Sequence, residues 1–394
     1  MDQNDRVRTL HILTSLNRRG AETFAVQLVD RLSRKRFDPA IWTIRPPEPG
    51  RFLVPQRTAV LSGSNGGAIH SLRNLLRVAR DYNPHLMHCH GGRALKYAAM
   101  LKPFWRPQAY VYTKIGSIHP WLDHPLRRLF YGFLFEQVDA IVAVGDQVRA
   151  EVEQEFHPRR PRLITILTGR DLSPFRSLTP EGAAATRAGL GLDSSHLILM
   201  TVGSLSWEKD PLLLLRLFGD LAVRDPRLRL VFVGDGPLRQ SLQEAIRAGG
   251  LEQRVQLLGV RSDVPALLGA ADVFVLSSET EGLPGVLIEA GMAGLPSVAF
   301  GVGAVAEVLK DGRTGFVVSP RDEAGFSQRV RELVDDPARR RELGREAREF
   351  CFETFNIDRS VRRHESLFLD LLHAAKTPAE HPTERPAGHL EGAR

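Results

Sequence analysis

Short apolar runs alternate with amphipathic segments along nearly the whole chain, and that alternation narrows the possible folds more than any other feature. In the first half, VRTLHILT (7–14) precedes ETFAVQLVDRL (22–32), whose Phe24, Val26, Leu28, Val29 and Leu32 fall near helical spacing. DPAIWTI (38–44) and RTAVL (57–61) read as strands. IHSLRNLLRVARDY (69–82) turns Leu72, Leu75, Leu76 and Val78 inward and Arg73, Arg77 and Arg80 outward. HLMHCH (85–90) runs into Gly91-Gly92 and a helix, and the pattern continues through PRLITIL. Residues 168–194 interrupt it with Gly, Pro, Ser and Asp, predicting an interdomain connection with one short helix. A second alternation runs from LILMTVG to GFVVS (315–319), followed by helices at 323–336, 338–355 and 360–375. Repeated βα units require crossovers and therefore parallel strands. The expected architecture is α/β, two doubly wound Rossmann-like domains facing a central cleft. The predicted boundaries are 1–172, a linker at 173–194, a second domain at 195–355, a helix at 356–375, and a disordered polar tail at 376–394.

The length agrees, since 394 residues exceed what one hydrophobic core usually serves. No uncharged apolar run approaches the roughly 18 residues that span a bilayer. The opening MDQNDRVR lacks the basic and apolar regions of a secretory signal. Cys89 and Cys351 read as single buried thiols, which suits a reducing cytoplasm and suggests neither disulfide nor zinc chemistry. The net charge of +7 is uneven: residues 1–170 hold 26 Lys and Arg against 14 Asp and Glu, net +12, and the remainder is net −5. A basic first half suits an anionic acceptor or an acidic lipid surface, with the protein peripheral on the inner face of a membrane. It equally suits arginine-decorated solvated helices. Nucleic acid is set aside, because no aromatic–basic interleaving or zinc spacing accompanies the charge.

Ligands of open parallel sheets gather beyond the strand C-termini. Here those are the loops at 17–20, 90–92, 116–119, 203–209, 234–237, 259–263 and 281–285. The richest is residues 277–296, SSETEGLPGVLIEAGMAGLP, which reads strand, polar loop, helix and so aims free helix N–H groups at an anion. Glu281 and Glu289 lie eight positions apart, a little over two helical turns, and two such carboxylates suit the hydroxyls of a sugar. The plainer readings are a helix-end acid for Glu281 and a solvated helix residue for Glu289. Lys209 can neutralise phosphate from the end of its loop, or simply face solvent. The loop SLNRRGAE lets a backbone N–H approach an anion at Gly20, but lacks the spaced glycines of a dinucleotide fingerprint. VGDGP (233–237) reads as a turn whose Asp235 caps the next helix. The stripe Phe130, Phe133 and Leu134 beside Arg127 and Arg128 has two readings, lipid contact or core packing, and core packing is the commoner use of such a stripe.

Taken in order, these segments resemble the retaining nucleotide-sugar glycosyltransferases of the GT-B fold, glycosyltransferase family 4. That family shows E-G-x-x-x-x-x-x-E-A followed by G-L-P, and this chain has Glu281-Gly282, Glu289-Ala290 and Gly294-Leu295-Pro296. RGAETFAVQL, HLMHCHGG, VDAIVAVG, VGSLSWEKDPLLLL, VFVGDGPLR, VQLLGVRSDV and DGRTGFVV are similar to its other blocks and follow in its order, over roughly residues 8–375.

The resemblance implies transfer of a hexose-type sugar from a nucleoside diphosphate to a polysaccharide or lipid-linked acceptor, with retention, no divalent metal and no cofactor beyond the donor; the alternatives are a nucleotide-sugar epimerase of the same fold and an inactive nucleotide-sugar-binding partner protein. Glu289 would hold the ribose and Glu281 the transferred sugar. The N–H groups of Gly285 and Val286 would hold the diphosphate, with charge from Lys209, and the base would rest against Val260 and Arg261. Gly20, Ser204 and Leu283 complete the donor side. His90 is the strand-end histidine, to be read either as an acceptor contact or as a structural residue. The final helix would cross back onto the first domain. Four departures stand out. Ser204 occupies the place of the family's phosphate arginine, for which Arg261 and Arg239 are possible substitutes. Thr113-Lys114-Ile115-Gly116 replaces T-x-H-G, leaving His119 three residues beyond. The linker motif N-G-[VI]-D is here Thr168-Gly169-Arg170-Asp171. Pro284 has no N–H to offer a sugar hydroxyl.

Overall fold

The structure is a computed structural model describing residues 6–17, 20–46, 53–62, 67–116 and 124–376. The first half runs β1 (Val7–Leu13), α1 (Gly20–Arg31), β2 (Phe37–Thr43), β3 (Ala59–Ser62), α2 (Ala68–Tyr82) and β4 (Leu86–His90). It continues with α3 (Gly92–Leu101), β5 (Ala109–Lys114), α4 (Pro125–Phe135), β6 (Ala140–Ala143), α5 (Asp146–Phe156) and β7 (Arg162–Thr165). The second half opens with α6 (Ser173–Arg176), α7 (Pro180–Gly189), β8 (Leu197–Val202), α8 (Pro211–Arg224), β9 (Leu228–Val233), α9 (Arg239–Ala248) and β10 (Val255–Leu257). Then come α10 (Val264–Ala270), β11 (Val273–Leu276), α11 (Gly285–Met292), β12 (Ser297–Phe300), α12 (Val305–Val308) and β13 (Gly315–Val318). Three helices finish the described chain: α13 (Glu323–Asp335), α14 (Pro337–Thr354) and α15 (Ile357–Lys376).

The strands form two parallel sheets, ordered β3-β2-β1-β4-β5-β6-β7 and β10-β9-β8-β11-β12-β13. Helices cover both faces, which is why strands such as LILMTV and VFVL are apolar without alternation. In each sheet the chain winds outward one way and then the other. The reversal lies between β1 and β4 in the first sheet and between β8 and β11 in the second. The loops leaving those four strands therefore diverge and open a crevice at each switch point.

Residues 173–194 carry two helices rather than one. They pack on the second sheet: Leu172, Phe175 and Leu192 join its core, and Arg187 pairs with Asp272 at 2.7 Å. The chain passes between the sheets twice, and the two passages touch. Arg170 N–H donates to the Phe355 carbonyl at 2.8 Å, and Ile357 N–H donates to the Arg170 carbonyl at 3.1 Å. After the second passage α15 packs Ile357, Val361, Leu367, Phe368 and Leu372 against Phe24, Leu28 and Val111 of the first sheet's layer. Ser33 N–H donates to Glu365 at 2.7 Å, and Arg36 pairs with the same carboxylate.

One expectation needs correcting. The stripe on α4 is not mainly core: Leu134 and Phe135 are buried, but Leu126, Leu129, Phe130 and Phe133 are exposed by 68%, 73%, 46% and 60%. Helical spacing reveals that a face is apolar and says nothing about what covers it. No described helix is long and apolar enough to cross a membrane.

Candidate active site

The switch point of the second sheet brings two separate loops together. Lys209 ends a short 3-10 turn after β8, and Glu281 sits in the loop after the adjacent β11. Lys209 Nζ is hydrogen-bonded to Glu281 Oε1, and Ser278 Oγ donates to the same oxygen at 2.7 Å. Ser277 Oγ donates to the Lys209 and Asp210 carbonyls, both at 2.9 Å, which ties the two loops together. Glu281 is 8% exposed, so its charge is held by a cation and a hydroxyl rather than by bulk water.

Four residues beyond Glu281, α11 begins. Its helical bonding starts with Leu287 and Ile288 N–H on the Pro284 carbonyl, so the Gly285 and Val286 N–H groups lie ahead of the ladder. Glu289, one turn along, pairs with Arg170: Nε donates to Oε1 at 2.8 Å, with side chains 5% and 24% exposed. The guanidinium also crosses the start of the helix. A Cβ built on Gly285 would fall 1.6 Å from Arg170 Nη2, so any side chain there would have to push the guanidinium aside.

The other cations expected near the phosphate are held elsewhere. Arg261 makes a two-pronged pair with Asp263, at 2.8 and 2.6 Å, on an exposed loop. Arg239 lies beside Asp235, at 4.0 Å, and Gly259. Ser204 Oγ donates to the Asp235 carbonyl at 3.4 Å. Val260 is 43% exposed at the edge of the crevice, an apolar surface beside these polar loops.

The first half closes over this site. A Cβ on Gly282 would fall 2.2 Å from the Ile115 carbonyl oxygen, so the loop after β5 rests directly on the Glu281 loop. Leu283 packs against Ala143 of β6, Val144 just after it and Val148 of α5. Glu307 of α12 reaches across as well: the Asp146 and Gln147 N–H groups at the start of α5 donate to its two oxygens at 2.9 and 2.7 Å. Gly20 opens α1 with its Cα facing Arg170, a built Cβ lying 3.6 Å from Nη2.

In the first half, four imidazoles cluster inside the protein. His11 and His88 are register partners on β1 and β4, His90 follows on the same face, and His364 descends from α15. His11 Nδ1 and His90 Nε2 are 3.3 Å apart, and His88 Nε2 meets Thr113 Oγ1 at 2.7 Å. Burial lowers the pKa of all four, with His90 at about 3 and His364 at about 4. His90 is thus a neutral core residue 5% exposed. Lys114, beside the expected histidine position, donates to the Gly116 carbonyl, and burial lowers its pKa to about 8. His119 lies outside the described residues.

The structure therefore groups Lys209, Glu281, Leu283, Gly285, Val286 and Glu289, keeps Ser204, Val260 and Arg261 on neighbouring loops, and brings Gly20 close through Arg170. Ser278, Glu307 and Arg170 join these contacts without having been singled out as candidates, although Arg170 stands where the chain departs from the family linker motif.

Comparison with known proteins agrees with this geometry. Residues 18–173 match the model described as Glycosyltransferase Family 4, and residues 183–350 match Glycosyl transferases group 1. EpsD of Bacillus subtilis is 27% identical over 330 residues, covering 81% of this chain and 84% of EpsD. N-acetyl-alpha-D-glucosaminyl L-malate synthase of Bacillus anthracis is 27% identical over 260 residues, 66% of this chain and 65% of that enzyme. Among solved structures, HepE of Anabaena, determined with UDP and with UDP-glucose, superposes with a TM-score of 0.80 at 19% identity, covering 93% of this chain and 100% of HepE. Two parallel sheets meeting at their switch points, a paired-glutamate loop and helix between them, and two family models that together take in most of the chain lead to one assignment: the chain belongs to glycosyltransferase family 4, enzymes of the GT-B fold that use nucleotide sugars.

Proposed function

We propose that the protein transfers a hexose-type sugar, with retention, from a nucleoside diphosphate to a hydroxyl of a polysaccharide or lipid-linked glycan at the inner face of a membrane. The observation that carries this is the Lys209–Glu281 pair, seated with Ser278 just ahead of α11. In this reading Glu281 receives hydroxyls of the transferred sugar and Glu289 those of the ribose. The Gly285 and Val286 N–H groups take the diphosphate, Lys209 adds charge, and Val260 supports the base. The bond from the anomeric carbon to the diphosphate oxygen breaks as the acceptor oxygen bonds to the same face of that carbon. The acceptor proton passes to the departing diphosphate oxygen. Negative charge grows on that leaving group, so fixed N–H dipoles and an ammonium lower the barrier without a divalent metal. HepE, of the same fold, binds UDP and UDP-glucose, which makes uridine the first base to test.

The exposed side chains of α4 support the membrane part of the reading. Leu126, Leu129, Phe130 and Phe133 stand beside exposed Arg127 and Arg128, the pairing that suits an anionic bilayer surface. Unpaired Cys89 and Cys351 fit a cytoplasmic setting. The test is a thermal-shift panel of UDP-, GDP- and ADP-sugars on the wild-type protein and Glu281→Ala, followed by transfer assays in the presence of EDTA. Failure of every nucleoside diphosphate to raise the melting temperature, or undiminished transfer by Glu281→Ala, overturns the assignment.

A further inference from the structure

We propose that Arg170, on the hinge between the two halves, is a diphosphate-binding residue of the donor site, released from Glu289 when the donor arrives. This rests on the donor reading above. Three observations converge on it.

The first is where the residue is anchored. Arg170 gives its N–H to Phe355 and its carbonyl to Ile357, so its backbone is fixed where the chain's two passages between the sheets meet. The second is where the side chain goes. It is 5% exposed and extends from the hinge onto the first turn of α11, with Nη2 against Gly285 on one side and near Gly20 on the other. A phosphate held by the first N–H groups of α11 would lie in contact with that guanidinium. Nη1 donates to the Gly169 carbonyl at 3.1 Å and Nε to Glu289, so the N–H groups of Nη2 are the ones that face such a phosphate first.

The third is charge. Both carboxylates of the site are already paired, Glu281 with Lys209 and Glu289 with Arg170, so this part of the site is close to neutral. A nucleoside diphosphate brings at least two negative charges into a place where Arg261 and Arg239 are turned to Asp263 and Asp235. A change of partners resolves the imbalance. Glu289 accepts ribose hydroxyls in place of the guanidinium, and Arg170 turns its charge to the diphosphate, so no buried charge is left alone at any stage. The arginine that departs from the linker motif thereby supplies the cation missing at Ser204.

The experiment compares UDP with uridine by calorimetry on wild type, Arg170→Lys, Arg170→Gln and the double variant Arg170→Gln/Glu289→Gln, with GDP and ADP and their nucleosides as parallel arms. The expected result is that Arg170→Gln weakens UDP binding by about 10- to 100-fold while uridine binding holds or improves, because Glu289 loses its competitor. Arg170→Lys should recover part of the loss. The double variant removes both charges together, so it stays informative if Arg170→Gln alone unfolds; it should still show the loss specific to the diphosphate. Arg170→Gln binding UDP within twofold of wild type, or losing UDP and uridine equally, overturns the proposal. A wild-type protein that binds none of the three diphosphates overturns the donor reading itself.

Discussion

The two halves of this molecule use the same sheet design for opposite ends. At the switch point of the second sheet, β8 and β11 deliver charged residues: part-exposed Lys209, buried Glu281 and, one turn into α11, part-exposed Glu289. At the switch point of the first, β1 and β4 deliver His11, His88 and His90, and α15 seals them with His364 and Phe368. The second half holds its titratable groups in ion pairs. The first half has turned its imidazoles into neutral core and leaves apolar side chains of α4 exposed. Equivalent positions in a repeated fold thus hold paired charges in one sheet and neutral core in the other.

The sharpest way to break this contrast is at Glu281. Glu281→Ala is expected to lower the rate of transfer by about 100- to 1,000-fold while UDP still raises the melting temperature, since the sugar loses its anchor and the nucleotide does not. Product formation near the wild-type rate would dissolve the distinction between the halves.

Lys209→Met leaves a carboxylate that is only 8% exposed without its cation, at a cost of about 3 kcal/mol. Lower thermal stability should accompany weaker donor binding, and adding Glu281→Gln should restore stability without restoring transfer. On the other half, Phe130→Ser/Phe133→Ser should reduce sedimentation with anionic vesicles several-fold and leave transfer to a soluble acceptor unchanged, with the binding of the parent protein falling as salt rises. Equal vesicle binding by both proteins would remove α4 from the acceptor side.

The last prediction concerns pH. His90 and His364 titrate near 3 and 4 in the folded protein, against about 6.5 in an unfolded chain. Below pH 6.5 the unfolded state therefore binds more protons, and stability drains as pH falls toward 4 and then 3. Melting scans between pH 7 and 4 should show this loss, and His364→Phe should lessen it by one imidazole's share, since His11, His88 and His90 are lowered by burial as well. An unchanged slope would mean that this imidazole is not what acid attacks.

Much of the fold was legible because its causes are local. Period and turn chemistry place nearly every strand and helix within a residue or two, down to α13 and α14. The pairing of Lys209 with Glu281 was legible only as two suspects, since their meeting depends on β8 and β11 lying side by side, and strand order is not a local property. Arg170 lay in a stretch read as connection, and nothing in its neighbours' spacing says that it reaches Gly285. The α4 stripe misled for the reverse reason: burial and exposure leave the same periodic trace.

Glu307 has one more consequence. Its carboxylate completes the first turn of α5 from the opposite half, accepting from the Asp146 and Gln147 amides. Whenever the halves part, those two amides lose their acceptor and meet solvent. Their deuterium uptake thus becomes a clock for opening, read in the enzyme without any label. A donor that holds the halves together should slow that clock, and Glu307→Gln, which keeps an acceptor but gives up the charge, should make it run faster.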